Sequence, residues 1–340
     1  MGKYKNIYML APYKLATGGI ELCHQLVDHL RNIGENAFIV YIDGGQINHD
    51  KNITEEYSKY NIEVTDTIED DAQNILVLPE IYFEWIFEYK QIRIGCWWMS
   101  VDNRYANCNI RDVIKFHKTF RCKCKALYDY FYARPHKYHE KNTDKLLRQE
   151  GDRITHFYQS HYAQSHLYQL GFSKVMPLSD YVNALYNTNA SPTALKKDII
   201  LYNPKKGHLF SLQIISKMTG YEFVPLIGLS REQLKQLFSD AKLYIDFGHF
   251  PGKDRLHREA ALNCCCIITG KKGASRFYED VPIDSDYKFD ATASSLPAIV
   301  ERIKYVLAHY DKCIHDFDFL RKTIMDEQAT FYREVETAFL

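Results

Sequence analysis

The chain alternates short apolar runs with longer segments whose apolar residues recur every three or four positions. The runs Asn6–Leu10, Ala37–Ile42 and Cys264–Thr269 predict strands, and the last is apolar on both faces, as in the interior of a parallel sheet. Ile20–Ile33 has the helical period and ends at Gly34, so it predicts a helix between the first two strands. The alternation predicts an α/β chain built on parallel sheets.

Two such α/β series are separated by a polar, turn-rich stretch, YNTNASPTALKK at residues 186–197, which is typical of a linker. At roughly 100–200 residues per domain, the chain length also suits two domains. We expect an N-terminal domain over 1–182, a linker over 183–197 and a C-terminal domain over 198–315. The tail over 316–340 predicts one more helix, for which packing back on the N-terminal domain is one arrangement.

Composition excludes several classes of protein. Lys plus Arg and Asp plus Glu both number 43, so the net charge gives no general attraction to nucleic acid. No apolar stretch reaches the ~18 residues of a membrane span, and Met1–Asn6 lacks the pattern of a signal peptide. Nine cysteines, three of them consecutive, suit a reducing compartment better than a disulfide framework. We therefore expect a cytoplasmic protein that binds no nucleic acid.

The stretch PGKDRLHREAALNCCCIITG, residues 251–270, places charged residues directly before a buried strand. Asp254 predicts a helix N-cap, and Arg255 and Glu259 then lie one turn apart on the same face. An arginine in a first turn is unfavourable for the helix dipole unless an anion binds there, and guanidinium groups bind diphosphates through paired hydrogen bonds. Glu259 is suited to accept hydrogen bonds from ribose hydroxyls. The alternative is a surface helix whose arginines pair with Asp254 and Glu259.

Residues 240–270, DAKLYIDFGHFPGKDRLHREAALNCCCIITG, resemble the donor-binding part of GT-B glycosyltransferases, most of all transferases from bacterial capsule and lipopolysaccharide loci. Residues 16–40, ATGGIELCHQLVDHLRNIGENAFIV, are similar to the family's Gly-Gly loop and first helix. YNPKKG at 202–207 is similar to its strand-to-Lys-Gly turn, and residues 158–182 resemble its hinge region. The resemblance implies an α/β GT-B fold, in which two Rossmann-like doubly wound domains face a cleft.

The same resemblance implies a nucleoside-diphosphate sugar as donor substrate and a glycan or lipid-linked acceptor. It assigns Lys206 and Arg255 to the donor phosphates, with Arg255 also catalytic through stabilisation of the leaving group, and Glu259 to the ribose. The remaining expected donor contacts are loop residues near strand ends: Gly18, Gly19, Gly228, Gly273 and Ser275. We expect no permanently bound cofactor and no metal, because a GT-B site of the kind implied by the resemblance need not bind one, and the lone Cys122-x-Cys124 pair has no partner pair at zinc-site spacing.

Asp102 follows the strand-like run Ile92–Met99, so it is expected at a carboxyl strand end. An inverting transferase needs a group that accepts the proton of the acceptor hydroxyl, and a retaining one needs charge stabilisation; Asp102 is the candidate for either role. The alternative is a turn-capping Asp. Retaining members carry Glu-x7-Glu, but Pro251 stands eight residues before Glu259, so the stereochemical outcome stays open.

Residues 114–139 interleave cations with aromatic residues. This pattern predicts either a peripheral contact with the anionic inner membrane leaflet or a solvated helix with a half-buried aromatic face. Two functions remain besides glycosyl transfer. A sugar-nucleotide epimerase would convert the donor without any acceptor, and a non-catalytic protein would bind a sugar nucleotide or glycan without turnover. The sequence leaves the oligomeric state open.

Overall fold

The computed structural model describes residues 2–15, 17–106, 108–128, 130–131, 144–182 and 195–340. The chain forms two compact units, Met1–Asp180 with Thr330–Leu340 and Tyr181–Ala329. Each unit contains its own mainly parallel sheet connected by helices, which confirms the α/β architecture predicted from the alternation. Most of the predicted linker, residues 183–194, lies outside the described residues, and a strand already begins at Lys197.

The sheet of the first unit reverses its strand order at the first strand. Within the described residues its strands are β1 Ile7–Pro12, β2 Ala37–Asp43, β3 Gln46–Ile47, β4 Ile75–Pro79, β5 Arg93–Trp98, β6 Ile154–Tyr158 and β7 Val175–Pro177. Their order is β3-β2-β1-β4-β5-β6-β7. The β2–β3 pair is antiparallel and the other neighbours pair in parallel. The chain therefore passes from β1 to β2 on one side and returns to β4 on the other.

Helices connect these strands and cover the sheet. They are α1 Gly18–Asn32, α2 Val101–Ala106, α3 Ile110–Phe116, α4 Phe120–Tyr128, α5 Asp144–Gln149 and α6 His161–Gln169, with a 3-10 segment at Glu80–Glu88. The helix α1 begins two residues before its predicted start, because Gly18 and Gly19 carry no apolar side chain that would mark the first turn.

Trp97 and Trp98, at the end of β5, are fully buried in the first unit. The indole Nε1 of Trp97 donates to the carbonyl oxygen of Leu178 at 2.8 Å, and that of Trp98 donates to Nδ1 of His156 at 3.0 Å. Both tryptophans thus have partners for their polar atom within the core, as buried tryptophans usually do. The two tryptophans therefore pack in the core of the first unit.

The second unit has a smaller parallel sheet. Within the described residues its strands are β8 Lys197–Tyr202, β9 Glu222–Pro225, β10 Ala241–Asp246, β11 Cys266–Gly270 and β12 Lys288–Phe289, in the order β12-β11-β10-β8-β9. Its helices are α7 His208–Lys217, α8 Arg231–Asp240, α9 Leu256–Leu262, α10 Leu296–Ala308, α11 Tyr310–Cys313 and α12 Asp318–Met325. Every residue of β11 is buried, which confirms the interior strand predicted from its apolar run.

The C-terminal segment predicted as one helix over 316–340 contains two helices instead. The helix α12 buries Leu320 and Ile324 in the second unit. The next helix, α13 Glu327–Phe339, buries Phe331 and Val335, which belong to the first unit. The two helices are separated at Asp326, and the buried apolar residues of each belong to a different unit. The second unit ends at Ala329, so α13 contains residues of both units.

The ammonium group of Lys196 joins the ends of two helices in the second unit. Its Nζ donates to the carbonyl oxygens of Phe238 at 2.7 Å, Ala241 at 3.0 Å and Asn263 at 2.6 Å. These carbonyls lie at the C-terminal ends of α8 and α9, where the helix dipole is negative and a cation is stabilising.

We predict that Lys196→Met lowers the free energy of unfolding by about 1–3 kcal/mol, because three part-buried carbonyl oxygens lose a charged donor. Thermal unfolding of the full chain measures the effect. Lys197→Met is the matched control, since its ion pair with Asp240 at 2.9 Å lies at the surface and contributes less than about 1 kcal/mol. Equal melting temperatures for the two variants would contradict this role of Lys196.

Candidate functional site

The strand order of the second unit reverses at β8, so the loops that follow β8 and β10 lie side by side at the carboxyl edge of the sheet. Ligands of doubly wound sheets bind at this position. The two loops are in direct contact: a Cβ atom on Gly207 would lie 2.7 Å from the carbonyl of Phe247, and one on Gly248 would lie 2.2 Å from Cβ of Lys206. Only glycine fits at these two positions, which brings the two backbones together.

The loop after β11 packs against the loop after β10. The N–H of Phe250 donates to the carbonyl oxygen of Lys272 at 3.1 Å, and the N–H of Ala274 donates to the carbonyl oxygen of Phe250 at 2.8 Å. Gly273 has a φ of +68°, and a Cβ there would lie 2.0 Å from that oxygen of Phe250. The hydroxyl of Ser275 is buried and donates to the Lys272 carbonyl at 2.9 Å, so it closes the loop that was predicted to contact the donor.

Lys206 forms an ion pair across the first two loops. Its Nζ lies 2.7 Å from both carboxylate oxygens of Asp254. The prediction of Asp254 as N-cap is therefore wrong: α9 begins at Leu256, with Arg255 at the N-cap position. The carboxylate of Asp254 binds the ammonium group of Lys206 instead, and no side chain caps α9. The ion pair brings Lys206 to the segment that carries Arg255.

Three more of the predicted donor residues, Arg255, Glu259 and Gly228, lie in the second unit. Arg255 is partly exposed at the start of α9, and Glu259 is buried one turn later on the same helix. Gly228 lies in the exposed loop after the edge strand β9, with a φ of +67°. Of the described residues, none beyond its chain neighbours would lie within 4 Å of a Cβ atom at Gly228. Arg255, Lys206 and Gly273 thus lie on loops that pack together, whereas Gly228 lies at the edge of the same sheet.

Two further cations of the 251–259 stretch have a carboxylate partner that the sequence did not indicate. Lys253 Nζ lies 2.8 Å from Oε1 of Glu327, and Nη1 of Arg258 lies 2.8 Å from Oε2 of the same residue. Glu327 is 69 residues beyond Arg258 in the chain, and no local spacing rule connects them. These cations are therefore fixed within the protein instead of facing an anion from solution.

A buried carboxylate ties the ends of β8 and β10 together beneath these loops. Asp246 accepts hydrogen bonds from the N–H of Gly248 at 2.8 Å, Nδ2 of Asn203 at 3.2 Å and the hydroxyl of Tyr244 at 2.9 Å. Burial raises the pKa of Asp246 to about 6, against the opposing effect of these donors. Asp246 is the last residue of β10, and an acid at the end of a strand is a signal that the sequence offers.

The first unit has a comparable arrangement where its strand order reverses between β1 and β4. Gly18 and Gly19 begin α1 directly after the β1 loop, and a Cβ on Gly19 would lie 3.6 Å from Sδ of Met99. Glu80 follows β4, is 4% exposed, and accepts the N–H of Met99 at 3.1 Å. Burial raises the pKa of Glu80 to about 7. Glu80 was not predicted, although an acid at a strand end was a usable signal.

The predicted catalytic Asp102 lies in the first turn of α2, partly exposed, two residues after Ser100. The carboxylate of Glu80 also accepts from the backbone of Ser100 and from the side chain of Asn103. Glu80 therefore holds the turn that carries Asp102. Ser100 also fixes this turn, because its Oγ accepts the N–H of Asn103 at 3.3 Å. The catalytic role of Asp102 and the alternative of a turn-capping Asp both remain predictions.

No family model matches this chain, and no curated protein matches it. Solved structures do. A glycosyltransferase from Rickettsia africae is 14% identical over 98% of both chains, with a TM-score of 0.60. HepE from Anabaena, in complex with UDP, is 10% identical over 98% of this chain and 99% of its own, with a TM-score of 0.63. Sucrose-phosphate synthase from Thermosynechococcus elongatus is 8% identical over 98% and 97%, with a TM-score of 0.63.

The chain has the GT-B fold. Its two Rossmann-like domains are the two units described above, and the fold class implied by the sequence resemblance is confirmed. At these identities the likeness extends to the fold and not to activity. Among the described helices, none combines the length and the apolar character that crossing a bilayer requires.

One group of potential metal ligands occurs in the part of the GT-B chain that the structure describes. Cys108, Asp112 and Asp144 bring ligand-type atoms within 4.8 Å of one another. The guanidinium of Arg104 donates to the thiol of Cys108 and, at 3.2 Å, to Asp144. The positive charge of Arg104 would repel a metal ion bound at this group. The three residues therefore fit a buried ion-pair network better than a metal centre. The expectation that the protein needs no metal remains a prediction.

We predict that Glu80→Gln becomes more stable relative to wild type as the pH rises. The folded state holds the Glu80 proton more tightly than the unfolded state, because its pKa is raised from 4.5 to about 7. Ionisation therefore destabilises the fold progressively between these values. The stability difference between variant and wild type should increase by about 2–3 kcal/mol from pH 5 to pH 8.

Melting temperatures of both proteins across this pH range measure the difference. Glu55→Gln, a change at an exposed glutamate, is the control and should show a flat difference. A flat difference for Glu80→Gln as well would show that the Glu80 carboxylate titrates normally.

Proposed function

We propose that this chain is a glycosyltransferase that moves a sugar from a nucleoside-diphosphate sugar to a glycan or lipid-linked acceptor in surface-polysaccharide synthesis. The observation that carries the proposal is the packing of three loops at the carboxyl edge of the second sheet, with Lys206 and Arg255 on two of them. The GT-B fold supports it, and HepE, which has this fold, has been solved with UDP and with UDP-glucose.

In the proposed reaction the second unit binds the donor. Lys206 and Arg255 neutralise the diphosphate, Glu259 accepts hydrogen bonds from the ribose, Gly273 and Ser275 form the loop next to the phosphates, and Gly228 lies near the base. The bond between the sugar carbon and the diphosphate oxygen breaks, and negative charge grows on the diphosphate. Fixed cations stabilise that charge without reorganising, so they lower the barrier without a metal ion.

The first unit is the proposed acceptor side. The loop that leads into Gly18 and Gly19 and the turn that carries Asp102 both lie at the carboxyl edge of its sheet. In an inverting reaction Asp102 accepts the proton of the acceptor hydroxyl as the new glycosidic bond forms. In a retaining reaction Asp102 instead stabilises positive charge on the sugar, and the departing diphosphate accepts the proton of the acceptor hydroxyl. Glu80 fixes the turn in either case.

We predict that a nucleoside diphosphate stabilises the full chain against thermal unfolding. A panel of UDP, ADP and GDP is tested at up to about 100 times Kd, where binding adds about 2.7 kcal/mol. Arg255→Ala and Glu259→Ala should each abolish the shift, because they remove the phosphate and ribose contacts. Lys235→Ala, at an exposed lysine on α8, is the matched control and should keep the full shift.

If both site variants keep the full shift, the donor is placed wrongly. Incubation with a sugar nucleotide then separates the possible activities. Formation of a new sugar nucleotide without acceptor would indicate an epimerase, and binding without turnover under any acceptor would indicate a non-catalytic protein.

A lipid-linked acceptor would bring the protein to the cytoplasmic face of a membrane, and α4 has the surface for such a contact. Phe120 is 82% exposed, and Tyr128 lies two turns further along a similar face. Arg121 and Lys125 are exposed on the neighbouring face of the same helix. Exposed aromatics flanked by cations suit the interface of an anionic bilayer. Within the predicted 114–139 surface, residues 129 and 132–139 lie outside the described residues.

We predict that the full chain co-sediments with vesicles containing phosphatidylglycerol and not with pure phosphatidylcholine. Arg121→Glu with Lys125→Glu should weaken binding at least tenfold, since each basic residue near the surface contributes about 1 kcal/mol. Lys217→Glu with Lys235→Glu, on exposed positions of α7 and α8, makes the same charge change away from α4. Equal losses in the two double variants, or equal binding to both lipids, would contradict a docking role for α4.

A further inference from the structure

Glu327 is a buried carboxylate that holds two cations at once. It is 5% exposed, and it forms ion pairs at 2.8 Å with both Lys253 and Arg258. Arg258 is 1% exposed. Charges removed from water are expensive unless their geometry and hydrogen bonding are well satisfied. An arrangement of this kind fixes the position of every group in it.

The guanidinium of Arg258 also closes its own loop. Its Nε donates to the carbonyl oxygen of Asp254 at 2.9 Å, and its Nη2 donates to that of Lys253 at 3.3 Å. The segment 253–258 is thus bonded to itself through one side chain, and Glu327 holds that side chain in place. Since Arg255 lies inside the segment, its position depends on these bonds.

The same segment is held on its other side by the ion pair between Asp254 and Lys206. Ion pairs therefore connect it both to the loop after β8 and to the first residue of α13. Glu327 begins a helix of 13 residues, and a carboxylate is favoured in a first turn because the helix dipole is positive there. The helix gives Glu327 a rigid support.

We propose that Glu327 is a positioning residue for the donor site: it orders the segment 253–258 so that Arg255 meets the donor diphosphate. This inference rests on the function proposed above. The other conceivable role is competition, in which Glu327 occupies cations that the diphosphate would otherwise bind. Burial of Arg258 and its bonds to its own loop favour positioning, because a phosphate in solution could not reach that guanidinium.

The test is Glu327→Gln in the full chain. The amide keeps the shape of the side chain but leaves two cations without their counter-charge, so the segment should lose its single conformation. The Kd for the nucleotide that stabilises wild type, chosen from UDP, ADP and GDP, should rise about tenfold in isothermal titration calorimetry. Glu327→Asp keeps the charge on a shorter stem and should return the Kd to within about threefold of wild type.

Asp144→Asn is the matched control. Asp144 is also a buried carboxylate paired with a buried arginine, Arg104, but it lies in the first unit. This variant should lower the melting temperature without changing the Kd. The comparison separates positioning of the donor segment from a general loss of stability, which both variants share.

The outcomes distinguish the inference from the proposed function. If wild type binds none of the three nucleotides, the proposed function fails, and the inference fails with it. If wild type binds and Glu327→Gln binds equally well, only the inference fails. Tighter binding by Glu327→Gln would show competition. If Glu327→Gln does not fold, Lys253→Gln replaces it, with an expected rise in Kd of at least threefold, and an unchanged Kd contradicts the inference.

Discussion

A parallel sheet that starts from an inner strand must reverse its direction of growth once, and the reversal leaves two loops side by side at its carboxyl edge. Both sheets of this chain contain such a point, between β1 and β4 and between β8 and β10. At each point a buried carboxylate, Glu80 or Asp246, accepts backbone N–H groups from a turn at that edge. Burial makes ionisation of both carboxyl groups unfavourable, and it raises the pKa of each. The turns they organise are the ones that carry the candidate site residues.

In the charged stretch 251–259, the fold pairs most of the charged side chains with partners that are distant in the sequence. The cations in it suggested a group facing an anion from solution. In the structure Lys253 and Arg258 bind Glu327, and Asp254 binds Lys206. Much of the charge is therefore used to hold one segment between the loop after β8 and the start of α13. Arg255 lies in the middle of this segment and is partly exposed.

The sequence was sufficient for the interior strands of both sheets and insufficient for the shortest strands and for the contacts between loops. Interior strands such as β1 and β11 are long apolar runs, so their burial follows from composition. The edge strands β3, β7 and β12 have two or three residues each, too few for any period to show. The 3-10 segment Glu80–Glu88 is rich in aromatic residues and has no single face, so it gave no helical pattern.

The candidate site could be predicted only in part, because contacts between its loops leave no local pattern in the sequence. Glycines at strand ends signal close backbone approach, and Gly207 and Gly273 lie against backbone carbonyls of a neighbouring loop. Their contact with a donor remains a prediction. The sequence does not indicate the partner of each ionic group. Asp254 is four residues from Arg258 yet binds Lys206, and Arg258 binds Glu327. Such choices depend on which strands are neighbours in the sheet, and this information is not local in the chain.

Around the start of α9 the cations Lys206, Lys253, Arg255 and Arg258 are nearly balanced by Asp254, Glu259 and Glu327. A nearly neutral site attracts a distant diphosphate only weakly, because its summed field is small and salt screens it further. Affinity must then come from short-range hydrogen bonds, which depend steeply on distance and angle. Such a site gains little from additional charge and much from the accurate placement of a few groups. In the proposed donor site, residues that place Arg255, with Glu327 first among them, are therefore expected to matter more to donor binding than their distance from the donor would suggest.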